Sequence, residues 1–288
     1  MSRLVTCSSC FGSAVAIALT TAASMTTTAA DSAHATSATK TPADTRTLER
    51  RIEDLESIND IQILMSKHEY YHAAEMNKEE LKAIWAMNEP DVTFAQNQGY
   101  YIGPKKLWSV YGEGNDIMRQ FNLTKLREKY PQLKDDPSNW GAGDLIMHTL
   151  TTPIIVIAGD GKTAKGMWYT PGQVSGVTAG SNWIWEKYGC DFIKENGQWK
   201  IWHMHVYTDF FAPVGTSWVK TAEAPKSNEA GGQDIPAKLK EMLVPSVAEV
   251  TYKTYGATQV PVLIPMPEPY RTFSETFSYG YAGGEQKH

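Results

Sequence analysis

Two tight-turn signals, each flanked by long strand-forming segments of similar length, limit what this chain can fold into more than any other feature. Gly159-Asp160-Gly161 separates residues 145–158 from residues 163–174, and Asn196-Gly197 separates residues 181–194 from residues 198–211. Gly and Asn accept the positive φ of the primed turns, whose twist matches that of paired strands, so each half reads as an antiparallel hairpin. Upstream the spacing is helical. Leu48, Ile52, Leu55, Ile58, Ile61, Leu64, Met65, His68, Tyr71 or His72, and Glu75 recur at helical intervals and predict one long helix with a continuous inward face. A second helix starts at Asn77, where Asn77 as cap and Glu80 beyond it match a capping box; Leu81, Ile84 and Trp85 share its apolar side. A short strand at residues 91–96 follows, and Gly103-Pro104 opens a third helix reaching about Phe121. Helices first and hairpins after make an α+β fold, a cone-like curved antiparallel sheet with three N-terminal helices enclosing a pocket.

This cone accounts for residues 48–215. Residues 1–35 carry one early charge, Arg3, then an apolar run at 11–19 and small-residue sites such as Ala33-His34-Ala35. They read as a signal peptide, predicting a secreted or periplasmic protein, and the run is too short to span a bilayer. Residues 36–47 are a polar linker. Residues 216–288 form an extended Pro-rich tail whose Val260, Val262, Leu263, Ile264, Phe273 and Phe277 are too apolar for a solvated linker. The tail is expected to wrap over the domain or a neighbouring subunit, which makes the protein a homo-oligomer, a dimer or a trimer. With 27 basic against 32 acidic residues, the net charge of −5 offers no cationic field for a phosphate backbone, so nucleic acid is not an expected partner. A membrane is not one either. The 3 cysteines cannot make a disulfide framework, Cys7 and Cys10 lying in the leader.

Chemistry enters along the first helix, whose inward stripe passes from Ile61, Leu64 and Met65 to His68, Tyr71, His72 and Glu75. A single buried His is usually a hydrogen-bonded packing residue, but several titratable groups on one buried face mark a site. The Asn196-Gly197 turn serves as a ruler, because residues equidistant from it pair across the ladder and share a face. Trp199, Ile201 and Phe192 define the core face; continued outward, it places His203 near Cys190, His205 near Tyr188 and Tyr207 near Glu186, all pointing into the pocket. A bulge would reverse this and turn Met204 inward instead. His148, near the start of the long strand, sits at the pocket mouth. His68-Glu69-Tyr70-Tyr71-His72 also matches H-E-x-x-H, the zincin spacing, with Glu89 or His148 as candidate third ligand; the hairpins downstream are not the architecture of that class, and no metal is assigned.

Across residues 48–214 the chain resembles the SnoaL-like family of the nuclear transport factor 2-like superfamily, in particular the scytalone dehydratase and hexachlorocyclohexane dehydrochlorinase group. The resemblance is carried by the helix from Ile61-Gln62 to Glu75, by Leu81-Lys82-Ala83-Ile84-Trp85 followed by Asp91-Val92-Thr93-Phe94, and by Tyr100-Tyr101-Ile102-Gly103-Pro104. His148 with its strand to Gly159-Asp160, Gly197-Gln198-Trp199-Lys200-Ile201, and Tyr207-Thr208-Asp209-Phe210-Phe211-Ala212-Pro213 complete it. The family includes cofactor-free dehydratases, dehydrohalogenases, isomerases and aldol-type cyclases, and members that only bind. The resemblance implies a base at His148 assisted by a first-helix carboxylate; Glu75 takes that place if one residue is inserted, Ala74 otherwise. The dehydrochlorinase lysine falls on His68 and its arginine on Met204, a loss of cationic groups that argues against chloride elimination.

The expected protein is therefore a cofactor-independent lyase or isomerase acting on a small aromatic or polyketide-like substrate by dehydration, isomerisation or retro-aldol cleavage. His148, oriented by Glu75, would move the proton. His68, His205 and Tyr71 would place or protonate the substrate oxygen, and Tyr101, Trp85, Tyr188, His203 and His72 would line the site. A binding protein of the same fold is the alternative, and would leave His148 and Glu75 too far apart to hydrogen-bond. A zinc enzyme is a second.

Overall fold

The computed structural model describes residues 46–177, 180–223 and 235–283; the expected leader at 1–35 and most of the linker at 36–47 lie outside them. Helix α1 (Leu48–Ala73) is opened by the Thr47 side chain, which accepts from the Arg50 amide at 3.2 Å. Its inward stripe is interrupted. Ile61, Leu64, Met65 and His68 are buried, whereas Leu48, Ile52 and Leu55 are 64%, 47% and 66% exposed, contrary to the continuous face expected from their spacing. In the first turns the helix turns Asp54 and Ser57 inward instead. Asp54 binds the guanidinium groups of Arg46 and Arg50, and Arg50 also donates to the Ala158 carbonyl, so this end docks through ion pairs rather than apolar packing.

Helix α2 (Asn77–Ile84) is capped by Met76 without a side-chain bond, so the capping box read from Asn77 and Glu80 is not formed. Asn77 lies inside the first turn and accepts from Asn115, while Glu80 turns into the core. Strands β1 (Thr93–Gln96) and β2 (Gly99–Ile102) form a hairpin, and a helical run follows as α3 (Pro104–Leu107), a π-helical segment at Trp108–Glu113 and α4 (Gly114–Lys129). The third helix thus extends past Phe121. Strands β3 (Asp144–His148), β4 (Thr151–Ile157), β5 (Thr163–Gly176), β6 (Gly180–Glu195) and β7 (Gln198–Pro213) complete the wall. Both β3 and β4 pair with β5, so the single long strand read from residues 145–158 is split at Thr149 and Leu150. After β7 come α5 (Trp218–Glu223), α6 (Ala237–Met242) and β8 (Val247–Ala248), the last pairing with β2.

The sheet order is β3-β5-β6-β7-β1-β2-β8, and its pairs are antiparallel except for β1 with β7, which makes a curved, unclosed mixed sheet where an antiparallel one was expected. The β6–β7 turn has the positive φ its sequence demands, 49° at Asn196 and 79° at Gly197. The helices bury their core against one face, through Ile61, Leu64, Met65, Leu81, Trp85, Trp168, Tyr188, Phe192, Ile201 and Met204. The opposite face is covered by the chain's own C-terminal segment, where Met167 and Tyr207 of the sheet pack with Ile264 and Tyr279.

Candidate functional site

The β6–β7 ladder decides which side chains reach the helical face. Pairing runs regularly from Glu195↔Gln198 to Phe192↔Ile201, then slips by one residue so that Asp191 faces His203 and Cys190 faces Met204. Trp202 is the extra residue, held outward by its indole N–H on Asp91 Oδ1 at 2.8 Å. Because side chains alternate, this bulge turns the following residues of β7 to the other face as far as Thr208, where a second slip intervenes. Met204 and Val206 therefore join Tyr188 and Cys190 on the inner wall, and His203, His205 and Tyr207 point outward, correcting the direct extrapolation from the turn.

On the outer face those residues belong to the seam with the tail. Lys165 Nζ meets Asp191 Oδ1 at 2.5 Å with both side chains fully buried, and Asp191 Oδ2 accepts from the Tyr279 amide, the Ser278 hydroxyl and His203 Nδ1. Phe273 and Phe277 cover the ammonium at 4.6 and 4.4 Å. Burial acts against a charged His203, but its bonds to Asp191 and Asp91 outweigh that and raise its pKa. His205 stacks on Tyr207 at 4.0 Å, shares a hydrogen bond with Thr251, and is driven by burial down to about 3. Neither His203 nor His205 is a pocket residue.

The inner cluster is built from four elements. From α1 come His68 and His72, one turn apart and stacked at 5.8 Å between ring centroids. From α2 comes Glu80, with no exposed surface, whose Oε1 is 2.8 Å from His68 Nδ1 and 2.8 Å from the Trp85 indole nitrogen. The π-helical segment brings Tyr111, whose hydroxyl donates to Glu80 Oε2 at 2.9 Å; such segments widen a helix by a residue and often mark functional sites. The sheet supplies Tyr188 and Glu186 from β6 and His148 from the end of β3. His148 Nδ1 lies 3.3 Å from the Tyr188 hydroxyl and 3.5 Å from Glu186 Oε2, and its ring stands edge-on to His72 at 5.3 Å.

Glu75 is elsewhere. It lies past the end of α1 with a φ of 54°, so helical periodicity no longer aims its side chain, and it pairs with Arg119 Nε at 3.1 Å instead of His148. Glu186 stands in the position expected of it. Tyr71 packs against the core, and Tyr101 stacks on Phe94 and donates to the Leu243 carbonyl; among the described residues neither hydrogen-bonds to a histidine. Trp85, Tyr188, His68, His72 and His148 do come together. Sequence reading missed Glu80, Glu186 and Tyr111. The signal for Glu80 was absorbed by the apparent capping box, and that for Glu186 was present as its ladder position beside Tyr188.

Electrostatics divides the cluster into one imidazole whose protonated form is favoured and two that are held neutral. Burial depresses His68, but the Glu80 carboxylate, through its charge and hydrogen bond, more than offsets this and raises it. Burial likewise favours neutral Glu80, yet His68 and the indole hold it below its ordinary value. His72 is lowered to about 4 by burial and by the charge of His68. His148 is lowered to about 3 by burial and then by His72 and His68. Tyr111 and Tyr188 are pushed well above the usual phenol value, first by burial, so both remain donors. Buried atoms without a hydrogen-bond partner among the described residues gather here: His68 Nε2, His72 Nδ1 and Glu69 Oε1. Such groups are costly unless a ligand or water satisfies them. The H-E-x-x-H imidazoles stack face to face, His68 Nδ1 is occupied by Glu80, and among the described residues no three His, Cys, Asp or Glu side chains are disposed to hold a metal ion.

Residues 53–205 match the model of a family described as a SnoaL-like domain. Among solved structures, LinA is 17% identical, with 61% of this chain and 99% of LinA covered at a TM-score of 0.41. A LinA-type3 hexachlorocyclohexane dehydrochlorinase from Novosphingobium barchaimii is 18% identical over 58% of this chain and 96% of its own, at 0.38. A protein assigned as a scytalone dehydratase from Novosphingobium aromaticivorans is 12% identical over 58% and 99%, at 0.39. No curated protein matches the chain.

Proposed function

Because the chain belongs to the SnoaL-like domain family, we propose that it is a cofactor-independent lyase or isomerase acting on a small aromatic or polyketide-like compound held against the inner histidine cluster. The observation that carries this reading is the pairing of a neutral His148, beside Glu186, with a His68 whose protonated form Glu80 favours and whose Nε2 has no hydrogen-bond partner among the described residues. A neutral imidazole can accept a proton, and the adjacent carboxylate stabilises the imidazolium that forms. A fixed, buried N–H donor favours an oxygen on which negative charge develops. In a dehydration, His148 takes the proton from the carbon next to a carbonyl, and the carbonyl oxygen gathers charge against His68. The β-hydroxyl then leaves as water with the proton returned from His148. Isomerisation returns that proton to carbon instead. Glu80 favours the protonated form of His68, and Trp85 and Tyr111 hold that carboxylate in place.

The test uses the full chain, a melting-shift screen of aromatic and polyketide-like ketones and alcohols, and product analysis on the hits. His148→Ala is expected to lower turnover by about 10²-fold or more, as for loss of a general base, while Glu75→Ala leaves it within a few-fold. Unchanged turnover in His148→Ala would overturn the assignment. One observation favours ligand binding without chemistry: Glu75, the carboxylate implied for His148, is bound to Arg119. Hits that bind saturably and are never converted would establish that reading. Self-association as a dimer or trimer belongs to the same proposal. It is supported by the exposed Leu48, Ile52 and Leu55 on α1, and sedimentation of the wild type against Leu48→Glu/Leu55→Glu checks it. Export to a periplasmic or extracellular space rests on residues 1–35 and is tested by the N-terminal sequence of the mature protein.

A further inference from the structure

We propose that a second small-molecule site lies on the outer face of the sheet, under the tail, and takes a planar hydroxylated aromatic compound. A cavity of about 470 Å³ opens there between β5–β7, α5 and residues 252–262. That volume falls within the range of roughly 300–1,000 Å³ typical of small-ligand pockets, which are apolar with a few convergent polar groups. Its walls have this composition. Trp185, Phe210 and Trp218 pack in a triangle with centroid separations of 5.8, 4.9 and 5.9 Å, Phe210 stacked on Trp185 and Trp218 tilted 60° from it, which makes an aromatic wall against which a planar ring can lie.

The polar part is a single compact group. Lys187 Nζ is 2.6 Å from Asp209 Oδ1 and 2.9 Å from the Tyr252 hydroxyl, which donates to the same Asp209 oxygen at 2.7 Å. The second β6–β7 slip, between Trp185 and Glu186, makes Asp209 the extra residue of β7. Lys187 has three N–H donors and these bonds use two, while the other Asp209 oxygen takes part in none of them. A ligand hydroxyl suits both vacancies, accepting from Lys187 and donating to Asp209. Because the ammonium and carboxylate already neutralise each other, a carboxylate or an amine in this position would meet a like charge, so the pair selects for a neutral hydroxyl. The cavity is separate from the histidine cluster, since Lys187 and Tyr188 alternate across the sheet.

The probe is 2-naphthol, with 2-naphthoate as its charged counterpart, titrated calorimetrically into the full-length protein. Saturable 2-naphthol binding is expected, about tenfold weaker in Tyr252→Phe and in Trp185→Ala, which corresponds to roughly 1.4 kcal/mol. Naphthoate should bind at least tenfold less well. Val262→Trp, at a position 58% exposed on the cavity rim, should abolish binding without disturbing the core. His148→Ala separates the two sites: binding that survives it and disappears in Val262→Trp belongs to the outer cavity. Absence of saturable binding, equal affinity for naphthoate, or binding that persists in Val262→Trp overturns the proposal.

Discussion

Replacing Glu80 by Gln tests the electrostatic division of the inner cluster. Gln keeps the volume and one acceptor oxygen, so the bonds from His68, Trp85 and Tyr111 can survive in neutral form; what is lost is the charge. Removing one member of a buried ion pair costs about 3–5 kcal/mol when the partner stays charged. His68 escapes part of that by losing its proton, and a charged hydrogen bond exceeds a neutral one by about 1 kcal/mol, which places the cost at about 2–4 kcal/mol. The pH dependence has two limits. His68 is raised above 6.5 in the folded protein, so its share is fully present below pH 6.5 and is lost as pH rises through the folded value. Glu80 is depressed below 4.5, so its share is present above pH 4.5 and is lost as pH falls through the folded value. The stability gap between wild type and Glu80→Gln should therefore be widest between pH 4.5 and 6.5 and narrow on both sides. Urea unfolding across that range measures the gap, and histidine NMR titration should show the His68 value falling in the variant. A gap independent of pH, or an unmoved His68 titration, would refute the ion pair.

Acid should weaken the fold well above the carboxylate range. His72, His148 and His205 are lowered to about 4, 3 and 3, so each loses stability as pH falls below 6.5, about 2 kcal/mol apiece by pH 5. With three imidazoles lowered against two, His68 and His203, that are raised and gain in the same range, urea unfolding should show lower stability at pH 5 than at pH 7, and equal or higher stability at pH 5 would contradict three buried neutral imidazoles. Gly189→Ala places a Cβ 2.4 Å from the Tyr279 ring and should cost about 1–3 kcal/mol while loosening the tail. Faster proteolysis within residues 249–283 checks it; unchanged cleavage and stability would mean the tail does not pack there.

The sequence by itself determined the fold class, since local turn chemistry and two kinds of periodicity are written in neighbouring residues. Asn196-Gly197 specifies its turn because φ is a local property, and α1 and α2 follow from spacing alone. It also identified His68 and His72 as polar groups entering a core, and singled out His148, though at a pocket mouth. Tertiary structure decided which carboxylates serve them. A single extra residue at Trp202 reversed the facing of His203 and His205, and alternation carries such a slip along the strand until the next bulge, here at Asp209. Glu75 left the site because the helix ends two residues before it, at Ala73. Glu80 entered because α2 docks against His68 and Tyr111, contacts between separate segments of the chain that no periodicity encodes. Which face a side chain takes is a sum over every residue back to the nearest turn, so one bulge outweighs a dozen correct assignments.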